Sequence, residues 1–341
     1  MYDLRSMLPD ELETLITELG EPKFRAKQLF SWLQSGVTSF DGMTNIPKSL
    51  REKLSTAGYI ANAKIEHKFQ SQLDETVKFL FKMNDGLNIE SVLMKYQHGY
   101  TICISTQIGC RMGCSFCAST VNGLDRSLTA SEMLAQIMAA EKSCGVRISN
   151  IVLMGMGEPF DNYENVLRFL TLVSHKDGLN IGMRHISLST CGKVDGIYRL
   201  MEEKLQLTLS VSLHAPNDKI RTRIMPVNKK WGVDELLKAC RDYISVTGRR
   251  ISFEYAMIKD VNDTDACALE LADKLHGMIC HVNLIPANEV RENDYVRSDA
   301  GRLARFKSIL EHKGINTTVR RTLGADISAS CGQLRQKYEN K

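Results

Sequence analysis

Three thiols fall within eight residues, Cys110, Cys114 and Cys117, in the stretch GCRMGCSFC at 109–117. Soft thiolates at this density suit zinc or an iron–sulfur cluster. A closed structural zinc site takes four protein ligands, and the nearest further candidates are His98 and Cys103, the latter seven residues back within a predicted strand. A four-iron cluster held by only three thiolates keeps one iron open to another ligand. Plain core cysteines are the third reading, and the spacing alone leaves all three standing.

Other chemistry-bearing residues sit beside turn signals. The stretch MGMGEP at 154–159 pairs glycines, which allow close backbone approach, with the carboxylate of Glu158. LSTCG carries Ser189 and Cys191, and SVSLHAPND carries Ser212, Leu213 and His214. Asn283 lies in HVNLIP and Glu90 in NIESVLMKY. Cys331 stands in GADISASCGQ, whose small residues and lack of periodicity suit a mobile loop.

The elements that must position these residues follow from hydrophobic period. Residues 1 to about 75 read as helices, with LPDELETLITEL, KFRAKQLFSWLQS and PKSLREKLSTA each apolar at helical spacing. TVKFLFKM and IESVLMKY around NDG read as a β-hairpin. From Thr101 six apolar runs (TICIST, NIVLMGM, HISLST, LTLSVSL, ISFEYAMI, HVNLIP) alternate with amphipathic stretches. Thr129 and Glu132 form a capping box at the first of these helices. The expected fold is therefore α/β, a partial (βα)6 barrel with a small N-terminal helical domain and a β-hairpin extension. The expected division is 1–75, 76–98, 99–322 and a tail at 323–341. Such sheets place chemistry at the carboxyl ends of their strands, where each stretch named above from the six runs falls.

Composition excludes several classes. With 43% hydrophobic and 25% charged residues, the chain has ordinary globular usage. No charge-free run approaches the roughly 18 residues of a membrane span, and no basic flank opens an apolar leader. A cytoplasmic location with no membrane partner is expected, and with it ten mostly reduced cysteines. The net charge of +4 is too small to name a nucleic-acid partner, but nine Lys/Arg against four acids lie between Asp218 and Arg250. That stretch is either a phosphate-facing patch, with Arg249 and Arg250 within it, or a solvated face.

The C-x3-C-x2-C motif with Phe116 between its last two cysteines resembles the radical S-adenosylmethionine (SAM) family. With MGMGEP, LSTCG and SVSLHAPND, the chain from Glu21 to Leu334 resembles the RlmN/Cfr family of RNA methyltransferases, and its Gly157-Glu158-Pro159 matches the RlmN branch. The resemblance implies a [4Fe–4S] cluster on Cys110, Cys114 and Cys117, and two SAM molecules per turnover. It implies SAM contacts from Gly157, Glu158, Ser189, Ser212, Leu213, His214 and Asn283. It further implies a methyl group staged on Cys331, a thiomethylene radical that crosslinks protein to RNA, a resolving thiol at Cys103 and a base at Glu90. The family reads D-I-D-A-A-C where this chain has Asp326-Ile327-Ser328-Ala329-Ser330-Cys331. Cys191, outside the cluster spacing, reads as a bystander; Cys144, Cys240, Cys267 and Cys280 read as core.

The expected activity is methylation of adenine carbon 2 in 23S rRNA, and in tRNA near the anticodon, by a monomer reduced by a donor such as flavodoxin. Two alternatives stand beside it. One is carbon-8 methylation of the same ribosomal adenosine, as in the Cfr branch. The other is a non-catalytic iron–sulfur or zinc RNA-binding module, which leaves Glu90 and the two distant thiols unexplained.

Overall fold

The computed structural model describes residues 1–288 and 294–334, so the expected tail beyond Leu334 lies outside the described residues. Its frame is one ten-stranded sheet. Seven strands run parallel, in spatial order Gly99–Cys103, Ile148–Leu153, Ile186–Thr190, Thr208–Ser212, Ile251–Met257, Cys280–Pro286 and Thr317–Val319. The other side of Gly99–Cys103 continues antiparallel through Asn88–Tyr96, Val77–Lys82 and Lys64–Gln70. The six predicted strands are the first six of the parallel set, which forms a partial, unclosed barrel.

Two strands of this sheet escaped the sequence reading. Lys64–Gln70 lies inside the stretch expected to be helical, yet it pairs with Val77–Lys82. Its residues KIEHKFQ are mostly exposed, with Ile65 and Phe69 only half-buried, so an edge strand carries almost no apolar alternation to detect. Thr317–Val319 is too short to show a period.

Helices Ala130–Cys144, Tyr163–Val173, Val194–Glu202, Val233–Thr247, Asp265–Leu275 and Ala300–His312 cover the parallel strands, burying residues such as Leu134, Phe169, Leu236, Leu271 and Phe306. The N-terminal helices Pro9–Glu18, Phe24–Gln34 and Lys48–Ala57 close on Leu12, Ile16, Leu29, Leu33 and Leu54. Buried Arg5 ties them together by donating to the carbonyls of Leu33, Val37 and Ala61. This unit is docked on the barrel helices: Ser131 N–H donates to Ser6 Oγ (2.9 Å), and Arg168 donates to Glu11 (2.6 Å). Among the described residues no helix is long and apolar enough to cross a membrane.

The predicted capping box is present. Thr129 Oγ1 accepts from Glu132 N–H and Glu132 Oε2 accepts from Thr129 N–H, while the same carboxylate takes both ends of the Arg126 guanidinium. Thr129→Ala should therefore cost about 1 kcal/mol. Glu132→Ala, which also strips a charged fork, should cost about 2–3 kcal/mol. Thermal unfolding of both variants should show that order, and equal midpoints would contradict it.

Candidate active site at the strand carboxyl ends

The cysteine loop is closed at its base by a two-stranded ribbon, Gln107–Gly109 against Leu124–Ser127, and by Cys110 N–H donating to the Gly123 carbonyl (2.8 Å). Cys110 and Cys114 are buried and Cys117 is half-buried; all three line a cleft of about 1080 Å³ over the strand ends. Burial pushes the Cys110 thiol up to about 12 and raises those of Cys114 and Cys117 as well. Thiols in such surroundings ionise most readily against a bound cation, which suits a metal-donor set better than a free nucleophile. Among the described residues no three His, Cys, Asp or Glu side chains converge on one ion position. Thiolates that each hold a different iron of a cluster need not converge, whereas a zinc grip requires it.

The opposite wall comes from the next strand ends. Gly157 has φ +103, and a Cβ there would stand 2.6 Å from the Gln107 side chain. Glu158 is buried; its carboxylate accepts from Phe160 N–H (3.1 Å) and Cys191 N–H (2.7 Å), while burial raises its pKa above the usual carboxylate value. The Cys191 and Thr190 side chains also hydrogen-bond this carboxylate, which faces the cleft. Ser189, Ser212 and His214 also line the wall. His214 sits at φ +55, accepts from Ala256 N–H at Nδ1 (2.9 Å) and meets Phe116 edge-on at 4.9 Å. That bond leaves its proton on Nε2, and burial, with help from Arg221, holds its pKa down at about 3.

Two of the residues implied as SAM contacts stand back from the cleft. Leu213 is wholly buried, and its backbone is engaged with Glu254 and Arg221. Asn283 donates to Glu254 Oε2 (2.8 Å), and it is Glu254 that lines the cleft. Cys191, read as a bystander, is corrected: it lines the cleft, packs with Cys114 and gives its N–H to Glu158. Spacing along the chain hides this because separate strand-end turns converge only in the fold.

Cys331 lies where the cleft meets a second cavity of about 550 Å³, which is lined by Val92, Met94, Tyr96, Cys103 and Arg320. Cys103 is buried, with its thiol pushed up to about 12 by desolvation. The structure thus brings Cys103 and Cys331 to one cavity. Glu90 lines neither cavity; it is buried on the strand face of Val92 and Met94 and pairs with buried Lys78 at 3.1 Å. Lys78 also donates to the Ser328 carbonyl (3.4 Å), which connects Glu90 to the Cys331 loop. The mobility expected of this loop contrasts with its fastening: Asp326 accepts from Ser71 Oγ and Gln72 N–H, and Gly332 O accepts from Ala118 N–H.

The sequence reading missed Glu254, Arg320, Lys78 and Arg221. A signal existed for two of them, since Glu254 and Lys78 interrupt otherwise apolar strands and so mark buried polar groups. The basic stretch from 218 to 250 is also redistributed. Arg221 is fully buried, and Arg249 and Arg250 precede the amino end of Ile251–Met257, away from the cleft. Exposed Arg223, Lys229 and Lys230 flank the cysteine loop instead, because Ile224 O accepts from Ser115 N–H (3.0 Å).

A parallel strand array with three loop thiols and a cleft at its carboxyl ends defines a radical SAM enzyme, and residues 104–272 match the radical SAM superfamily. Residues 2–60 match the ribosomal RNA large subunit methyltransferase N-terminal domain. The chain is 54% identical over 336 residues (98% of each chain) to a protein of Alkaliphilus oremlandii named "Probable dual-specificity RNA methyltransferase RlmN". It is 52% identical to proteins of the same name from Clostridium tetani (99% of this chain, 97% of that one) and Thermoanaerobacter sp. (99% of each). A radical SAM methyltransferase from Sphaerobacter thermophilus superposes with a TM-score of 0.95 at 45% identity, over 99% of this chain and 100% of that chain. The chain belongs to the RlmN family of radical SAM RNA methyltransferases, which work with a [4Fe–4S] cluster and SAM.

Two substitutions test the site's two walls. Cys114→Ala should lose iron, measured on anaerobically prepared protein, and full iron retention would contradict the donor set. Gly157→Ala should keep iron and yet weaken SAM binding at least tenfold by calorimetry, because its Cβ has no room beside Gln107.

Proposed function

We propose that this protein methylates carbon 2 of an adenosine in 23S rRNA, and of one in tRNA, with Cys331 as the methyl carrier. The observation that carries this reading is the place of Cys331, shared between the cluster-side cleft and the Cys103 cavity. A thiol there reaches a methyl donor on one side and a resolving thiol on the other. The "dual-specificity" of the relatives' names supports two RNA classes.

Cys110, Cys114 and Cys117 would hold the cluster, and Gly157, Glu158, Ser189, Ser212 and His214 would hold SAM, with Asn283 acting through Glu254. When bound, the pair supplies the methyl group and the radical chemistry needed at a ring carbon that carries no acidic proton. Cys331 accepts the methyl; that methyl gives up one hydrogen atom to the radical chemistry, its carbon bonds the ring, and the adduct gives back one electron, joining protein to RNA. Glu90 takes the ring proton. Cys103 attacks the Cys331 sulfur, forming a disulfide as the S–C bond breaks, and the released carbon takes a proton to give the methylated base. A buried thiol held at about 12 is protonated at neutral pH, so it attacks as thiolate only once the bound state lowers that value. Arg320, which lines both cavities and whose charge favours ionised Cys103, is placed to do so. Glu90 meets the ring after the segment tied through Lys78 and Ser328 shifts.

Expression in a host lacking the activity, followed by nucleoside mass spectrometry, should show 2-methyladenosine in both RNAs. An 8-methyl product would assign the other branch, and no product would leave a binding module. Cys331→Ala should neither carry methyl nor crosslink, whereas Cys103→Ala should accumulate RNA covalently bound to the chain on denaturing gels. Crosslinking by Cys331→Ala would overturn the assignment.

Exposed Arg223, Lys229 and Lys230 beside the cysteine loop supply a phosphate-facing rim. Replacing all three by Ala should weaken RNA binding and flatten its logarithmic salt slope by up to about 0.7–0.9 for each phosphate no longer neutralised. The Arg249→Ala/Arg250→Ala pair should leave the slope unchanged. The reverse pattern in a salt titration would move the interface to the other end of the sheet.

A further inference from the structure

Arg221 is fully buried, and among the described residues no carboxylate forms an ion pair with it. Neutral acceptors satisfy it instead. Nε donates to the Leu213 carbonyl (3.0 Å), Nη2 to those of Cys191 (2.6 Å) and Ser212 (3.1 Å), and Nη1 to Asn228 Oδ1 (3.0 Å). The three carbonyls lie at or just past the ends of Ile186–Thr190 and Thr208–Ser212, so one side chain fixes the spacing of two walls of the cleft. Gly192 makes room for it: a Cβ there would lie 2.9 Å from Nη2.

Asp218 reaches Arg221 only through Asn228, whose Nδ2 donates to Asp218 Oδ1 (3.0 Å), and a buried cation without a direct counter-ion is costly to the fold. Arg221 Nη2 donates to the carbonyl of Cys191, whose side chain packs against Cys114, so the guanidinium reaches the residue seated on one of the three cluster ligands. A cluster bound through three thiolates brings negative charge to that place, and reduction adds one more electron. We propose that Arg221 is the internal counter-charge of the cluster: a positioning residue that raises its reduction potential while holding the Cys191 and Ser212–Leu213 turns at the spacing SAM requires. This rests on the assignment of Cys110, Cys114 and Cys117 as the cluster ligands. The electrostatic step is simple, since potentials of such clusters follow local charge and hydrogen bonding.

The test compares charge with shape in anaerobically reconstituted full-length protein, with iron content measured first. Arg221→Gln removes the charge and should lower the midpoint potential, shifting the reduced-to-oxidised ratio at fixed potential at least tenfold, about 59 mV for one electron. Arg221→Lys keeps the charge but cannot span three carbonyls. It should hold the wild-type potential and bind SAM at least fivefold more weakly. A paired Arg221→Met/Asn228→Leu protein is a second neutral variant that removes the cation together with its side-chain partner, leaving fewer orphaned groups. A neutral variant with full iron and the wild-type potential overturns the inference. So does failure of both neutral variants to fold while Arg221→Lys matches wild type in potential and SAM affinity, because Arg221 would then serve the fold alone. Wild-type protein that holds no iron would overturn the ligand assignment first.

Discussion

The site depends on a seam where two segments of backbone touch with no side chain between them. Beyond the paired strands, Ile104 N–H donates to Val152 O and Gly155 N–H to Ile104 O; Thr106 and Gln107 both donate to Met156 O. A Cβ at Gly155 would stand 2.6 Å from the Ile104 carbonyl oxygen. The seam carries strand pairing past the end of the sheet and then releases the two segments in opposite roles. One becomes the cysteine loop and the other presents Glu158, whose N–H is held by Gln107 Oε1 (2.8 Å). Any residue larger than glycine would push the cluster loop off the wall it faces. The two glycines of MGMGEP therefore concern backbone approach rather than flexibility.

Around the seam, buried polar groups are closed on one another, and this keeps the cleft in one arrangement. Gln136 receives Ser105 N–H and Ser91 Oγ at its amide oxygen and donates back to the Ser105 carbonyl. Ser105 Oγ donates to Glu90 O and accepts from Met156 N–H, so the strand of Glu90 and the turn before Glu158 share one hydroxyl. Asn262 braces the His214 turn by donating to the carbonyls of His214 and Ala256. In low dielectric each of these groups would be expensive if orphaned, so a half-formed network is worse than none and the whole shell forms together. The positive φ of His214 persists because that shell determines it.

Legibility in the sequence tracked how local the physics was. Strand–helix alternation from Thr101 onward, the cysteine spacing and the Thr129–Glu132 box are local patterns, and the structure has each of them. Lys64–Gln70 was missed because an edge strand buries too little to show alternation. Cys191 and Arg221 were misread for a different reason. Their roles arise from strand-end turns far apart in the chain, so no window of sequence contains both partners. Arg221 counted as surface charge simply because it sits among surface lysines. At Leu213 the alternation that places Ser212 at the wall turns the side chain inward.

Anchoring of the Cys331 loop explains how the chain accommodates Ser328 where its family has an acid. The loop is fastened on both sides of its thiol. Upstream, Asp74 accepts from Gly324 N–H while Asp326 accepts from Ser71 and Gln72, a reciprocal clasp onto one turn of the antiparallel extension. Downstream, Ala118 and Ser119, next to Cys117, donate to the carbonyls of Gly332 and Leu334. Asn288 holds the Cys331 carbonyl itself at 3.0 Å. Between the fastenings, Ser328 takes φ +50, and its carbonyl rather than its side chain receives Lys78. A backbone contact asks little of the residue type, so the missing acid leaves the link between Lys78, Glu90 and the loop in place. What position 328 must supply is left-handed geometry, which a small polar residue adopts at a modest cost of about 1 kcal/mol. That strain resides between the two clasps, which keep the ends of the loop in register on either side of it.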